Sequence, residues 1–316
     1  MGRLRVFVAG ASGAIGRPLV ARLLAAGHDV TGMTRSEESA QALRSEGASA
    51  AVVDVFDAEP VRSAMADARP EVVVHQLTAL PTKLDVRKMK GMYDATNRVR
   101  TEGTRNLIDA ARGAGARRMV AQSIAFLYAP EGERVVSEDA RPFDEAPEPF
   151  GTAVGAVLDL ERQVTGAEGI EGVVLRYGWF YGPGTFYAQD GSNAEDVRRR
   201  RQPIVGKGDG VFSFLHVDDA AGATVAAIEG GPAGVYNVTD DEPAPMREWL
   251  PVFAEAVGAK RPLRVPAWLA KLVAPRMVVD LATTLRGASN ERFKREFGWQ
   301  PKYASWREGF REGLGG

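Results

Sequence analysis

The 316-residue chain has no cysteine, which removes disulfides, thiolate nucleophiles and zinc–thiolate centres at once. Its three histidines, His28, His75 and His216, stand so far apart that no metal site is expected. Neither sign of charge is in excess: 40 Lys and Arg against 41 Asp and Glu leave a net charge of −1. That balance gives no electrostatic footprint for nucleic acid or an acidic membrane. No apolar run reaches the ~18 residues of a membrane span, and a strand-like segment stands where a leader's apolar region would be. A cytoplasmic protein follows as the expectation. One further absence is local: no lysine occurs between Lys90 and Lys207.

What is present begins with Gly10-Ala11-Ser12-Gly13-Ala14-Ile15-Gly16, placed between the apolar run Leu4–Ala9 and a helical pattern at Leu19, Val20, Leu23 and Leu24. A strand, a glycine turn and a helix start in that order form a dinucleotide pyrophosphate site. Gly10 lets the chain turn, Gly13 admits the pyrophosphate, Gly16 lets helix and strand pack, and the free N–H groups around Ser12, Ala14 and Ile15 meet the anion. The bland alternative is a nucleotide-free tight turn. The second strand, His28–Met33, runs into Arg35, 19 positions beyond Gly16, where an acidic residue would bind a ribose 2′-hydroxyl and a guanidinium accommodates a 2′-phosphate. NADP is therefore expected, with NAD less favoured, unless Arg35 is merely solvated. Asp54, after the third strand, either accepts from the adenine amino group or caps the helix starting near Ala58.

Strand-like runs at 4–9, 28–33, 50–53, 71–75, 117–122 and 171–176 alternate with helical stretches. The reading is α/β: a Rossmann-like doubly wound parallel sheet in residues 1–176, with 177–316 mainly a smaller C-terminal substrate lobe, part of which returns to the core. Helices are expected near 85–112, 151–165, 194–201, 218–229, 245–257, 266–285 and 289–296.

Four segments resemble the extended short-chain dehydrogenase/reductase family, which includes sugar-nucleotide epimerases and dehydratases. They are Val8–Gly16, Gly103–Leu107, Leu175–Gly184 and Phe214–Ala220, with Phe297–Pro301 similar to the family's tail. The resemblance implies that the backbone near Leu77, and Tyr177, lie along the cofactor, and that helices near 85–112 and 151–165 pair in a homodimer. Ala153, Val154, Ala156, Val157 and Leu160 are small or apolar enough for such an approach. It also implies a Tyr-x-x-x-Lys pair, in which lysine lowers a phenol's pKa. That pair is absent: the two places fall on Ala153 and Val157, and none of the seven tyrosines has a lysine four positions on. The family serine falls on Ile124, one place beyond Ser123, and the helix asparagine on Arg100, with Asn97 one turn earlier.

The substrate side departs as well. Phe212 stands where the sugar-nucleotide enzymes carry a diphosphate arginine, and Trp179 where they carry an asparagine. Trp179, Phe180, Phe186, Phe212 and Phe214 would suit a small apolar or aromatic substrate, although any single ring is as readily core. His216, before Asp218 and Asp219, reads as a helix start rather than a catalyst. The expected activity is an NADP-dependent oxidoreductase with an atypical mechanism, in which Ser123, Tyr128 or Tyr181 replaces the missing proton donor. A redox-neutral isomerase, dehydratase or cyclase, and an NADP-binding sensor, are the alternatives.

Overall fold

The computed structural model describes residues 2–81 and 89–315. Seven strands form one sheet: β1 (Arg5–Ala9), β2 (Asp29–Thr34), β3 (Ser49–Val52), β4 (Val72–His75), β5 (Arg118–Ile124), β6 (Glu171–Tyr177) and β7 (Gly234–Val238). Their order is β7-β6-β5-β4-β1-β2-β3 and every pairing is parallel. β4 is buried along its whole length, as its unbroken Val72-Val73-Val74 run requires in a sheet covered on both faces. The chain leaves β1 toward β3 and then returns to β4 on the other side. That reversal opens a crevice at the carboxyl ends of β1 and β4, where open α/β sheets bind ligands.

On one face lie α1 (Gly16–Ala25) and α8 (Val217–Glu229); their Leu19, Val20, Leu23 and Ala220 pack with Val6, Val8 and Leu175. α3 (Ala58–Ala68), α5 (Thr104–Gly113) and α6 (Phe150–Thr165) cover the other, and α2 (Glu37–Ser45) packs beside β3. α4 (Met89–Arg98) runs through a π-helical turn, Val99–Gly103, directly into α5. Residues 85–88 of the helix expected at 85–112 fall outside the described residues.

Residues beyond β6 contribute most of a second core around Trp249, Phe253, Phe310 and Trp306, built on α7 (Ser192–Arg198), α9 (Met246–Ala256), α10 (Ala267–Val273), α11 (Arg276–Thr284) and α13 (Trp306–Glu312). β7, α8 and α12 (Glu291–Phe297) belong to the sheet side. The single helix expected at 266–285 is two, because Pro275 lacks the N–H that would continue α10 and instead starts α11. α13 is missing from the sequence reading; it is seven residues long, and Ser305 caps it by accepting from Arg307 N at 3.0 Å. The helix-pairing residues need correction too. Ala153, Val154, Ala156, Val157 and Leu160 are all buried inside the subunit, and α6 turns Thr152, Gly155 and Arg162 outward.

Candidate active site

The glycine loop leaves β1 at the crevice. Gly10 has φ +94°, and a Cβ there would stand 2.8 Å from the Gln76 carbonyl. A Cβ on Gly16 would fall 2.1 Å from the Gly10 carbonyl oxygen, so both positions demand glycine. Gly13 N–H donates to Gly10 O at 3.1 Å, whereas among the described residues no backbone acceptor engages the N–H groups of Ser12, Ala14 or Ile15. α1 opens with Ile15 at its N-cap, no side-chain cap and no acidic residue in its first turn. These open donors and the positive end of the helix dipole fit a pyrophosphate. A Cβ on Gly184, from the segment after β6, would lie 3.6 Å from Ala14 Cβ, so that segment passes over the loop.

Arg35 is exposed just beyond β2 and, among the described residues, has neither hydrogen bond nor ion pair. Asp54 does not cap α3: its Oδ1 accepts from Phe56 N at 3.0 Å, closing its own turn, while Asp57 stands at the start of α3. Leu77 N donates to His75 Nδ1 at 3.2 Å, which leaves the proton on Nε2 to donate to Thr104 Oγ1 at 3.1 Å. Burial, aided by the nearby Arg100, pushes the His75 imidazole down to about 4. Tyr177 does not reach the crevice with its side chain. Its hydroxyl donates to Thr224 at 2.7 Å and accepts from Gln76 Nε2 at 3.2 Å, deep in the core.

The three proposed proton donors are corrected by the same logic. Ser123, 1% exposed, donates to Glu161 Oε1 at 2.6 Å. Glu161 is held by Arg176 through Nε at 2.8 Å and Nη2 at 2.7 Å, and Arg176 Nη1 donates to the Tyr128 hydroxyl at 3.0 Å. Tyr128 in turn donates to Asn237 Oδ1 at 2.6 Å. This closed network ties β5, α6, β6 and β7 together, and burial raises the Tyr128 phenol to about 12. Tyr181 is fully buried in the lobe against Phe214, His216 and Phe310, with no partner for its hydroxyl among the described residues and its pKa raised by burial. A Cβ on Gly309 would collide with that ring, so α13 sits directly on it. His216 is also structural: Nδ1 accepts from Asp218 N at 3.1 Å and Nε2 donates to Gly313 O at 2.9 Å.

Where the family resemblance puts hydroxyl, phenol and ammonium, the structure has Ile124, Ala153 and Val157. All three are buried in one apolar cluster with Leu127, Phe150, Val154 and Met277. Tyr93 and Phe126 pack against the same cluster. Phe126 stacks on Trp179, with centroids 4.1 Å apart and planes 19° from parallel, and neither ring is fully buried. Phe186 is also partly exposed. Phe212 and Phe214 are lobe core, and Phe180 packs toward Tyr177 at 5.4 Å on the sheet side, so these three are corrected as substrate walls.

The sequence reading missed a stripe on α4 and its π-helical turn. Tyr93, Thr96, Asn97 and Arg100 recur at i, i+3, i+4 and i+7, one helical face. Thr96 is 1% and Asn97 8% exposed, and neither the Thr96 hydroxyl nor either amide atom of Asn97 has a partner among the described residues. Arg100 Nη1 is buried without a partner, no carboxylate pairs with Arg100 among the described residues, and burial pushes the guanidinium down to about 10. The Tyr93 hydroxyl meets the Met277 sulfur, at 3.6 Å. The helical spacing is the signal in the sequence, and it shows only when Tyr93, Thr96, Asn97 and Arg100 are taken together. Among the described residues no cluster of His, Asp or Glu is arranged for a metal, and no helix is long and apolar enough to cross a membrane.

A 3-diazoavenalumate denitrifying reductase from Streptomyces sp is 49% identical over 307 residues, covering 97% of this chain and 99% of that protein. A UDP-glucose 4-epimerase from Mycolicibacterium smegmatis is 30% identical over 95% of both chains. The solved Thermus thermophilus UDP-glucose 4-epimerase, a complex with NAD, matches with a TM-score of 0.72 and 27% identity over 98% of each chain. The model of the NAD dependent epimerase/dehydratase family matches residues 6–239, the span from β1 through β7 that contains the glycine loop and the substituted catalytic positions. The chain belongs to that family.

Proposed function

We propose that this protein is an NADPH-dependent reductase of a small aromatic or apolar diazo compound, whose hydride acceptor is the carbon that bears the N2 group in its diazonium form. The observation that carries the reading is the apolar cluster of Ile124, Ala153 and Val157 at the place of the family's proton donor. Reducing a carbonyl makes an alkoxide that must be protonated, and these side chains have no proton to give. A diazonium carbon needs none. Hydride replaces dinitrogen, which leaves with the electron pair of the broken C–N bond: R–N2+ plus hydride gives R–H and N2, balanced in atoms and charge. The reductase that is 49% identical is named for a diazo compound, which supports the same chemistry.

When bound, NADPH supplies that hydride. The open N–H groups of Ser12, Ala14 and Ile15 and the α1 terminus would hold its pyrophosphate, and the exposed Arg35 would pair with the 2′-phosphate. The Phe126–Trp179 stack offers a flat apolar wall for the substrate ring, and the Ile124 cluster excludes water beneath the reacting centre. The test is an air-free incubation of protein, NADPH and an aryl diazo compound. One dinitrogen per NADPH consumed is expected, with deuterium from labelled NADPH at the carbon that held the diazo group. Brisk reduction of ketones without action on the diazo compound would overturn the reading. A homodimer is proposed through the outer face of α6, checked by light scattering.

A further inference from the structure

We infer that the Tyr93–Arg100 stripe is a carboxylate-binding site, so that the substrate of this reductase bears a carboxylate as well as its reducible group. A guanidinium buried without a counter-charge is strongly disfavoured, since it gives up hydration and receives no pairing in return. Arg100, itself half-buried, has Nη1 in that position among the described residues, and its neighbours on the helix face are unsatisfied too: the Thr96 hydroxyl and the Asn97 amide are sealed from water with no partner among those residues. Four polar side chains at i, i+3, i+4 and i+7 with this much unused bonding capacity are poor core design and good recognition design. The donors on offer are a planar fork, an amide N–H and two hydroxyls, which suit the two coplanar oxygens of one carboxylate.

The stripe is separate from the cofactor's phosphate site. Those phosphates belong to the glycine loop and Arg35, whereas Arg100 lies near His75 and Tyr93, its electrostatic neighbours among the described residues. A single cation favours a monoanion over a phosphate dianion. Tyr93 packs on the same apolar cluster as Phe126, so the anion-binding stripe and the aromatic stack share neighbours among Ile124, Ala153, Val157 and Met277. An aromatic ring with an acidic side arm fits that pairing in kind. The π-helical turn at Val99–Gly103, directly at Arg100, is a local widening of the sort that recurs at functional sites.

The inference rests on the proposed function only for the reducible group, because binding is measured here without turnover. Titration calorimetry on the full chain with NADP present compares cinnamate with cinnamamide, which differ only in the anionic end. Cinnamate is expected to bind about 10- to 100-fold more tightly, the worth of a charge-assisted contact. Arg100→Met should remove that difference and leave NADPH affinity unchanged. Equal binding of acid and amide by the unaltered protein overturns the inference, as does no saturable binding of cinnamate. So does an Arg100→Met protein that keeps the preference for the acid, or that loses NADPH affinity instead, which would assign the guanidinium to the cofactor. The acid–amide comparison needs no variant, so it decides the matter even if Arg100→Met fails to fold.

Discussion

Glu161 and Arg176 meet at 2.7 Å with side chains only 7% and 6% exposed, and Ser123 and Tyr128 bond to opposite ends of that pair. Removing one partner leaves the other charge buried and alone, so Glu161→Ala should destabilise the fold by about 3–5 kcal/mol. Thermal melts measure this. Ser123→Ala and Tyr128→Phe, by contrast, should leave kcat far short of the ~10²–10⁴-fold loss that follows removal of a positioned acid. A loss of that size in either variant, with the melting temperature intact, would return the hydroxyl to the chemistry.

The proposed NADPH preference rests on Arg35, exposed beyond β2 with no ion pair among the described residues. NADPH should bind more tightly than NADH, and Arg35→Ala should weaken NADPH by about 10- to 100-fold, the worth of ~1.5–3 kcal/mol, while barely touching NADH. Fluorescence titration of both nucleotides on both proteins reads the result, and equal affinities in the unaltered protein would refute it.

Within the glycine loop the residues separate by function. Gly16→Ala drives a Cβ to 2.1 Å from the Gly10 carbonyl and should unfold the loop, lowering the melting temperature by several degrees. Gly13→Ala meets only one atom, at 3.3 Å, so it should melt near the parent while binding NADPH at least about tenfold less well. Comparable melting losses in both variants would contradict this division.

Acid stability should depend on His75. Its imidazole takes a proton at about 4 in the fold but at 6.5 when unfolded, so protonation favours the unfolded chain. Stability from this residue is full above pH 6.5 and falls by up to about 3 kcal/mol as pH drops toward 4. Buried Asp240 has its pKa raised, chiefly by burial, and acts with the opposite sign, so the informative quantity is the difference between the parent and His75→Asn. The variant should lose less stability than the parent between pH 7 and 5; parallel curves would exclude His75 as the cause.

Ordinary ketones and nucleotide sugars should be turned over very poorly, because the Ile124–Ala153–Val157 cluster holds no acid. Steady-state assays over a ketone panel check this. Reduction of any of them at rates near that of a diazo compound would show that a proton reaches the site by another route.

Six of the sheet's seven strands were legible, β4 most plainly from its unbroken Val72-Val73-Val74 run, and the glycine loop because its chemistry lies within seven consecutive residues; β7 was not, since Gly234–Val238 falls in the region read mainly as the lobe. The loss of Tyr-x-x-x-Lys was legible by inspection of residue types alone. What hid the real state of Ser123, Tyr128 and Tyr181 was distance along the chain. Ser123 finds Glu161 38 positions away, Tyr128 finds Asn237 109 away, and Tyr181 is covered by Gly309 and Phe310. A hydroxyl near a strand end looks available until its long-range partner is known. Arg100 was hidden differently, since a buried cation without a partner cannot be told from a solvated one by sequence.

Because α13 lies on Tyr181 and the Gly313 carbonyl accepts from His216, residues 306–313 close the heart of the lobe. On the ribosome, β1 to β6 can collect early, but the lobe must wait with Tyr181, Phe214 and Trp249 uncovered until α13 has been made. These rings are thus shielded late, and the interval before α13 docks is when they are most exposed to misassembly.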